Sequence, residues 1–452
     1  MALSLTQKAG WGLADMGVVV FVVVKQLLVL AFLTNYLGVP IGLAGAVTTA
    51  VLFFDIVTDP LIGYLSDRTR SRFGRRAPWM AIGALVLVLG MIGLFAVPLG
   101  FTTLGNLAWV TGFFVVATIG FTMVAIPYGA MAGEITQDPR ERSAMTGFRM
   151  GFASLGILIG GALIPILAGD VREGFVRAAL AVSPLIVGAI WLSIFATRNA
   201  PRIETPSTAS FLPMLKLVLA NRPFTILAVL YGVMTLAVAL LTAGLPFAAL
   251  YLITDTGDTP LSGAASALGT LSLLFAAFVL GSILSQAVWV LLSARMGKLN
   301  ALMFGLTLYI ALLLGMYAVL PSMNVTAMFG MFVLAGMING AYQQIPWAIY
   351  PDLMDVTRTE TGEAIEGTFS ALWLFGQKVA NALAPLLLGL ILGAFGWVET
   401  IQGRADQTDI ALTALRLCMS QVPAAILALS IAGLWAVYRP SLRNVQAYAK
   451  IG

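Results

Sequence analysis

The sequence contains no histidine, one cysteine and few charged residues, and each scarcity excludes a class of chemistry. Without histidine there is no Ser/His/Asp or Cys/His catalytic pair, no histidine metal ligand and no histidine proton relay. Cys418 is the single cysteine, so no intrachain disulfide can form. Only 10% of the 452 residues are charged, whereas soluble domains carry roughly a quarter. We therefore expect neither an enzyme nor a soluble protein.

Hydrophobic residues take the place of the missing charges, at 60% of the chain and in long continuous runs. A membrane helix needs about 20 apolar residues, and lipid permits only helices or closed barrels. The runs lack the alternation of barrel strands. We predict an all-α polytopic membrane protein with twelve transmembrane helices, at residues 10–36, 41–65, 78–98, 106–133, 144–168, 175–197, 224–253, 265–293, 300–320, 325–350, 365–395 and 413–438.

The twelve spans repeat as two halves. The segment "IPYGAMAGEI" at 126–135 matches "IPWAIYPDLM" at 345–354, and "SRFGRRAPWM" at 71–80 matches "SARMGKLNALM" at 293–303. A parallel repeat of six helices predicts two bundles with a ligand site between them near the membrane midplane. We assign an N-terminal bundle to 1–197, a linker with a short amphipathic helix to 198–223, a C-terminal bundle to 224–438 and a tail to 439–452.

The net charge of +5 indicates topology rather than nucleic-acid binding. Most Lys and Arg residues fall in the loops after spans 2, 4, 6, 8 and 10 and in the two tails. The positive-inside rule then places both termini in the cytoplasm. We expect a monomer in the bacterial inner membrane, with membrane lipid and a small-molecule substrate as its partners.

Six ionisable residues lie well inside predicted spans, where a charge costs at least about 2.5–3.5 kcal/mol and usually serves a function. They are Asp15, Lys25, Asp55, Asp59, Arg149 and Lys378.

The two acids of span 2, Asp55 and Asp59, are four residues apart and share a helix face. With Thr58 and Thr122 they form a candidate cage for a small hard cation. A proton shared by the two acids is one alternative, and pairing with basic residues of the bundle is another.

The basic residues leave further alternatives open. Lys25 comes at a similar depth to Asp55, so it either pairs with that acid or faces the substrate. Arg149 and Lys378 favour an anionic group on the substrate, although they could instead pair with the buried acids. The remaining candidate substrate contacts at similar depths are Asp15, Tyr128, Trp373 and Gln377.

Several motifs mark a resemblance to a known superfamily. The stretch "GYLSDRTRSRFGRR" at 63–76 resembles the signature loop between helices 2 and 3 of the major facilitator superfamily. The resemblance implies a major facilitator fold with a charged gate on the cytoplasmic side. Its expected gating residues are Gly63, Asp67, Arg68, Arg75 and Arg295.

The motifs "DIVTDP", "NRPF" and "TGEAIEGTFSALWLFGQK" are similar to those of the glycoside–pentoside–hexuronide:cation symporter family. That family shape also includes the sodium-dependent lysophospholipid symporter. The resemblance implies a sodium, lithium or proton site at Asp55, Asp59 and Thr122, and a basic pair near the substrate at Arg149 and Lys378. Acids that anchor sugar in the family's melibiose permease are replaced here by Val18 or Val19 and by Ala125.

The expected function is symport of a sugar, glycoside or acidic sugar with Na⁺ or H⁺ by alternating access, with no cofactor besides the coupling ion. One alternative is transport of an anionic amphipath such as a lysophospholipid. Another is a cation-independent transporter in which Lys25 replaces the coupling ion. A non-transporting receptor on the same fold is a third.

Overall fold

A computed structural model describes residues 3–136, 138–169, 171–200, 211–320, 324–361 and 366–443, which contain helices and no strands. Twelve stretches are long and apolar enough to cross a membrane, which confirms the predicted all-α, twelve-span architecture. The helices are α1 (Leu5–Leu27), α2 (Val29–Tyr36), α3 (Ile41–Arg68), α4 (Ala77–Phe95), α5 (Thr103–Ile135), α6 (Pro139–Leu158), α7 (Ile164–Ala168), α8 (Arg172–Thr197), α9 (Phe211–Ala220), α10 (Arg222–Tyr251), α11 (Ser262–Leu268), α12 (Thr270–Met296), α13 (Lys298–Val319), α14 (Val325–Thr361), α15 (Glu366–Ala394), α16 (Asp409–Cys418), α17 (Gln421–Gly433) and α18 (Arg439–Arg443).

Three spans are less regular than the sequence predicts. The first span is interrupted at Leu28, between α1 and α2. The fifth passes through a π-helical turn at Ile159–Leu163 before α7, and the twelfth contains another at Leu434–Tyr438. Such π-helical turns occur frequently at functional sites.

The chain divides into two compact units. Unit 1 comprises Met1–Pro206 and Trp397–Gln407, and unit 2 comprises Ser207–Gly396 and Thr408–Gly452. The sequence-based division differs at one loop, because 397–407 lies within the stretch 224–438 that we assigned to the C-terminal bundle. Helix α9 lies in the predicted linker. Residues 201–210 of the linker, 362–365 of the "TGEAIEGTF" motif and 444–452 of the tail lie outside the described residues.

Hydrogen bonds explain why the 397–407 loop belongs to unit 1. The Thr400 N–H donates to Thr34 O (3.1 Å), and the Gly38 N–H donates back to Thr400 O (3.1 Å). Glu399 Oε1 accepts from the Ile41 N–H at the start of α3 (2.9 Å). A carboxylate at this position satisfies a helix N-terminal amide and opposes the positive end of the helix dipole.

In unit 1, helix α1 packs against α6 and α8, while α5 packs against α3 and α4. Glycine permits the closest approach of α6 to α1. A Cβ atom on Gly12 would lie 2.8 Å from Arg149 N, and one on Gly156 would lie 2.6 Å from Met16 O. Small residues let membrane helices approach at backbone distance. The contact at Gly12 brings the backbone of Arg149 against α1.

In unit 2, helix α10 packs against α15 and α17, and α14 packs against α12 and α13. The "NRPF" motif begins α10. Asn221 Oδ1 accepts from the Phe224 N–H (3.0 Å), which caps the helix. Asn221 Nδ2 donates to Leu353 O (3.0 Å) and Thr357 Oγ1 (2.7 Å) on α14. One asparagine therefore starts α10 and fixes it to a neighbouring helix.

The two repeated segments seen in the sequence form a corresponding ion pair in each unit. Arg75 Nη2 lies 2.9 Å from Glu134 Oε1 in unit 1, and Lys298 Nζ lies 2.5 Å from Asp352 Oδ2 in unit 2. Each base directly follows a glycine of positive φ, 89° in unit 1 and 83° in unit 2. Each acid lies in the C-terminal third of a long spanning helix, Glu134 in α5 and Asp352 in α14.

Candidate functional site

A buried charge network lies within unit 1. Lys25 is in the last turn of α1, Asp55 is inside α3 and Thr122 is inside α5, and all three side chains are buried. Lys25 Nζ donates to Asp55 Oδ2 (3.0 Å), and Thr122 Oγ1 donates to Asp55 Oδ1 (2.9 Å). Both carboxylate oxygens of Asp55 are therefore engaged by groups of the protein itself.

Aromatic rings close around the ammonium group of this network. Lys25 Nζ lies 4.1 Å from the centroid of the Phe121 ring and 5.8 Å from that of Phe21. The negative face of an aromatic ring attracts a cation, and the attraction is stronger when water is excluded. Of the two arrangements that the sequence left open for Lys25, the structure has the pair with Asp55.

The other residues of the predicted cation cage lie next to this network on α3. Thr58 Oγ1 donates to Asp55 O (3.1 Å) and to Phe54 O (3.2 Å), so its proton is used within its own helix. Asp59 follows one turn after Asp55 and is partly exposed, with its Oδ1 atom buried. A small hard cation is bound by oxygen ligands, and in this arrangement the ammonium of Lys25 takes one Asp55 oxygen.

A second polar cluster in unit 1 joins α1, α5 and α6. Arg149 Nε donates to Asp15 Oδ2 (3.1 Å), and Arg149 Cζ lies 5.6 Å from the Tyr128 ring centroid. Trp11 stacks on Tyr128 with the centroids 4.9 Å apart, and its indole N–H donates to Tyr128 O (3.3 Å). The cluster unites three candidate substrate contacts, Asp15, Tyr128 and Arg149.

Part of this cluster retains capacity for a ligand. The Arg149 side chain is 39% exposed, and its two Nη groups donate to no residue in the part of the chain that the structure describes. Tyr128 has a buried hydroxyl that likewise finds no partner among those residues. Two parallel donors on a guanidinium match the oxygens of a carboxylate, sulfonate or phosphate.

The other three candidate substrate contacts lie on α15 in unit 2. Trp373 is 1% exposed, and both Tyr231 (4.4 Å between centroids) and Tyr350 (5.1 Å) stack on its ring. Gln377 and Lys378 follow on the same helix and are half-buried.

The aromatic residues of the two units follow the internal repeat. In unit 1 the Trp11 indole N–H donates to Tyr128 on α5. In unit 2 the Trp347 indole N–H donates to the Tyr231 hydroxyl (3.0 Å), joining α14 to α10. Both pairs join the first and fourth spans of their half. In unit 1 the tryptophan is on the first span and the tyrosine on the fourth, and in unit 2 the positions are reversed.

Two of the predicted gating residues of unit 1, Asp67 and Arg75, belong to an ion-pair network whose central members, Arg76 and Glu134, were not predicted from the sequence. Asp67 pairs with Arg76, which also donates from Nε to Glu134 Oε1 (2.9 Å) and from Nη1 to Ser66 Oγ (2.7 Å). Arg75 contacts the same Glu134 oxygen. The acid near the end of "IPYGAMAGEI" was the available signal, since its counterpart segment "IPWAIYPDLM" also contains an acid, Asp352, near its end.

The remaining gating candidates have other contacts. Arg68 Cζ lies 3.9 Å from the Tyr64 ring centroid. Gly63 is half-buried, and a Cβ atom there would make an ordinary contact with Ile126 (3.6 Å). Arg295 is exposed at the end of α12 in unit 2.

Twelve candidate membrane spans in two repeated units, with ionisable side chains buried among them, are typical of a membrane transporter. The chain belongs to the MFS/sugar transport protein family, whose sequence profile matches residues 10–440. The resemblance inferred from the motifs is thereby confirmed.

Relatives in this family differ in the solutes for which they are named. A provisionally assigned glycoside/cation symporter of Escherichia coli strain K12 is 26% identical, with 94% of this chain and 90% of the relative covered. A provisionally assigned sulfoquinovose importer of the same strain is 26% identical over 94% and 89%. The sodium-dependent lysophosphatidylcholine symporter 1 of Xenopus tropicalis is 23% identical over 86% and 79%.

Among solved structures, a bacterial homologue of the human lysosomal transporter Spinster superposes with a TM-score of 0.67. The match covers 97% of each chain at 16% identity. At this identity the similarity establishes the fold alone.

Proposed function

We propose that this protein is a proton-coupled, sodium-independent symporter of an anionic, sugar-like solute. The observation that carries the proposal is the contact of Lys25 Nζ with Asp55 Oδ2 at 3.0 Å. The ammonium of Lys25 stands where a coupling sodium ion would otherwise neutralise the carboxylate. The proposal thus keeps the symport typical of the family but changes the coupling ion.

Electrostatics supports the exclusion of sodium. A sodium ion bound to Asp55 would lie within a few ångströms of the Lys25 ammonium, and two like charges at that distance repel strongly in a buried site. Displacing Lys25 instead would leave its charge buried without a partner, a change worth about 3–5 kcal/mol. Neither state favours sodium binding.

Asp59 is the acid that we propose for the coupling proton. It lies one turn from Asp55 on α3 and is the more exposed of the two, so a proton can reach it while Lys25 keeps Asp55 neutralised. Binding of the proton would favour the state that binds the solute, and the proton and the solute would then cross the membrane together.

The Arg149 cluster supports the choice of an anionic solute. Asp15 holds the guanidinium through Nε and leaves the Nη edge for a carboxylate or sulfonate. The relative named as a sulfoquinovose importer fits this chemistry, since a sulfonate carries three acceptor oxygens and a negative charge. Lys378 on α15 is a further proposed contact for the anionic group.

We further propose that the protein acts as a monomer in the bacterial inner membrane with both termini cytoplasmic. The support is the distribution of Lys and Arg, which concentrate in the loops after the even-numbered spans. Asp67, Arg75 and Arg76 would then form the cytoplasmic gate of unit 1, with Arg68 and Gly63 beside them and Arg295 as a gating residue of unit 2.

Uptake into proteoliposomes tests the proposal. The panel contains a sulfonated sugar, a uronic acid, a neutral galactoside and lysophosphatidylcholine, each offered with an imposed proton gradient or an imposed sodium gradient. We expect an anionic sugar to accumulate with the proton gradient alone. Accumulation driven by sodium alone contradicts the coupling, and equilibration without accumulation identifies a uniporter. Transport of lysophosphatidylcholine in place of every sugar identifies the amphipath transporter.

A further inference from the structure

A large cavity lies at the basic end of unit 1. Its volume is about 1650 Å³, and it is bounded by the loop between α3 and α4 and by the ends of α3, α4, α5 and α8. Among the described residues of the lining, Asp67 and Glu134 are the two carboxylates and six residues are arginines. The arginines of the lining are Arg68, Arg70, Arg72, Arg75, Arg76 and Arg198.

The carboxylates of the cavity are engaged by two of these arginines. Arg75 and Arg76 share Glu134, and Arg76 also pairs with Asp67. Arg70 is exposed and makes no hydrogen bond or ion pair with any residue in the described ranges. Arg72 lies over its neighbouring phenylalanine ring (4.7 Å). Among the described residues, Arg70 and Arg72 therefore add positive charge that the lining carboxylates, Asp67 and Glu134, do not pair.

The N-terminus of α4 adds a second attraction for an anion. Helix α4 has 19 residues and begins at Ala77, which lines the cavity together with Pro78. The preceding residue, Arg76, provides no side-chain hydrogen bond to the first amides. Uncapped N-terminal amides and the positive end of the helix dipole attract phosphate groups.

One wall of the cavity is apolar and belongs to the faces of α4 and α8. Ile82 is 55% exposed and Trp191 is 47% exposed, and the Trp191 indole N–H donates to Ala81 O (3.2 Å). Tryptophan is enriched at the membrane–water interface, where its ring lies at headgroup level. A basic floor with an apolar wall at this level matches a ligand that has an anionic head and a hydrocarbon chain.

We propose that this cavity binds an anionic glycerophospholipid, with its phosphate at Arg70, Arg72 and the start of α4 and an acyl chain along Ile82 and Trp191. Basic pockets between membrane helices on the cytoplasmic side bind such headgroups. The site is separate from the substrate cluster at Arg149. It depends on the proposed function only through the orientation that makes this end cytoplasmic, and binding in detergent does not depend on orientation.

The test uses the purified full-length protein in detergent, with binding followed by native mass spectrometry and by thermal stability. The probes are phosphatidylglycerol, phosphatidylcholine, glycerol phosphate and inorganic phosphate. We expect phosphatidylglycerol to bind in preference to the other three. Each surface arginine contributes roughly a fivefold factor, so Arg70→Gln with Arg72→Gln weakens phosphatidylglycerol binding about 30-fold.

Matched variants test separately how the arginine charges and the apolar wall contribute to lipid binding. Lys216→Gln with Arg222→Gln removes two exposed charges from unit 2 and should leave the affinity for phosphatidylglycerol unchanged. Arg70→Lys with Arg72→Lys keeps both charges and should retain most of the wild-type affinity. Trp191→Ala weakens phosphatidylglycerol but not glycerol phosphate. Equal binding by wild type and the Arg70/Arg72 glutamine variant, or no preference over phosphatidylcholine, overturns the proposal. Equal protection by glycerol phosphate or inorganic phosphate identifies a soluble phosphate and overturns the lipid assignment.

Discussion

Lys25 Nζ lies 3.0 Å from Asp55 Oδ2, and both side chains are buried within unit 1. A buried pair is difficult to separate, because removing one charge leaves the other without its partner or water. The pair therefore contributes to the stability of unit 1, and under the proposed function it also decides which ion the transporter can use.

Removing the ammonium should destabilise the protein strongly. In sodium-free buffer we expect Lys25→Met to lower the free energy of unfolding by about 3–5 kcal/mol, because Asp55 is left buried and unpaired. The double variant Lys25→Met with Asp55→Leu should recover most of this loss. Unfolding in mixed micelles measures the free energy of unfolding of both variants. Lys216→Met, at an exposed site, is the control, and its free energy of unfolding should stay within about 0.5 kcal/mol of wild type. A single variant as stable as wild type would show that the pair contributes little.

Neutralising Asp59 should abolish proton-driven accumulation of the solute without abolishing solute exchange. We expect Asp59→Asn to abolish accumulation driven by a proton gradient and to retain exchange of labelled for unlabelled solute, because exchange needs no release of the proton. The measurement is uptake against counterflow in the same vesicles. Asp258→Asn, a change in an exposed loop, should affect neither. Unaltered accumulation by Asp59→Asn would assign the proton to another group.

The shape of the Arg149 side chain should matter as much as its charge. Loss of a charge-assisted hydrogen bond is worth about 1.5–3 kcal/mol, so Arg149→Lys should raise the KM for an anionic sugar about 10- to 150-fold. A lysine keeps the charge but cannot offer two parallel donors. Arg177→Lys, an exposed change in unit 1, is the control. The same KM for wild type and Arg149→Lys would contradict recognition by the guanidinium edge.

The close contact of α1 with α6 should tolerate no added methyl group. A Cβ atom on Gly12 would lie 2.8 Å from Arg149 N, so Gly12→Ala should push α6 away and lower stability by about 1–3 kcal/mol. Gly147→Ala on the same helix pair meets nothing within 4 Å and should raise stability by about 0.5–1 kcal/mol through helix propensity. Thermal unfolding compares the two variants, and equal effects would contradict the packing account.

The sequence predicts which residues form the spans and which polar residues lie inside them. It predicts less well which of those polar side chains contact one another. Hydropathy and length determine twelve spans because lipid imposes both. The rise per residue places Lys25 near Asp55, since it fixes depth along each helix. Depth does not fix rotation about the helix axis, so the sequence could not decide whether Lys25 faced Asp55 or the substrate.

Other features depend on contacts between segments that are distant in the chain. Arg76 and Glu134 meet through the approach of a loop to the end of α5, and no local pattern specifies that approach. The 397–407 loop belongs to unit 1 through hydrogen bonds to residues about 360 positions earlier, such as Thr400 to Thr34. Trp373 is predicted as a substrate contact from its position near Lys378, yet its burial depends on rings from α10 and α14.

The most direct test of the account is the response of purified protein to sodium, which needs no identified solute. We predict that sodium chloride changes the Tm of wild type no more than choline chloride does. In Lys25→Ala the vacated position beside Asp55 should bind sodium, so that Tm rises saturably, with about 2.7 kcal/mol of stabilisation at one hundred times Kd. Adding Asp55→Ala should remove the response. A saturable, sodium-specific rise of Tm in wild type would contradict the claim that Lys25 takes the place of a sodium ion at Asp55.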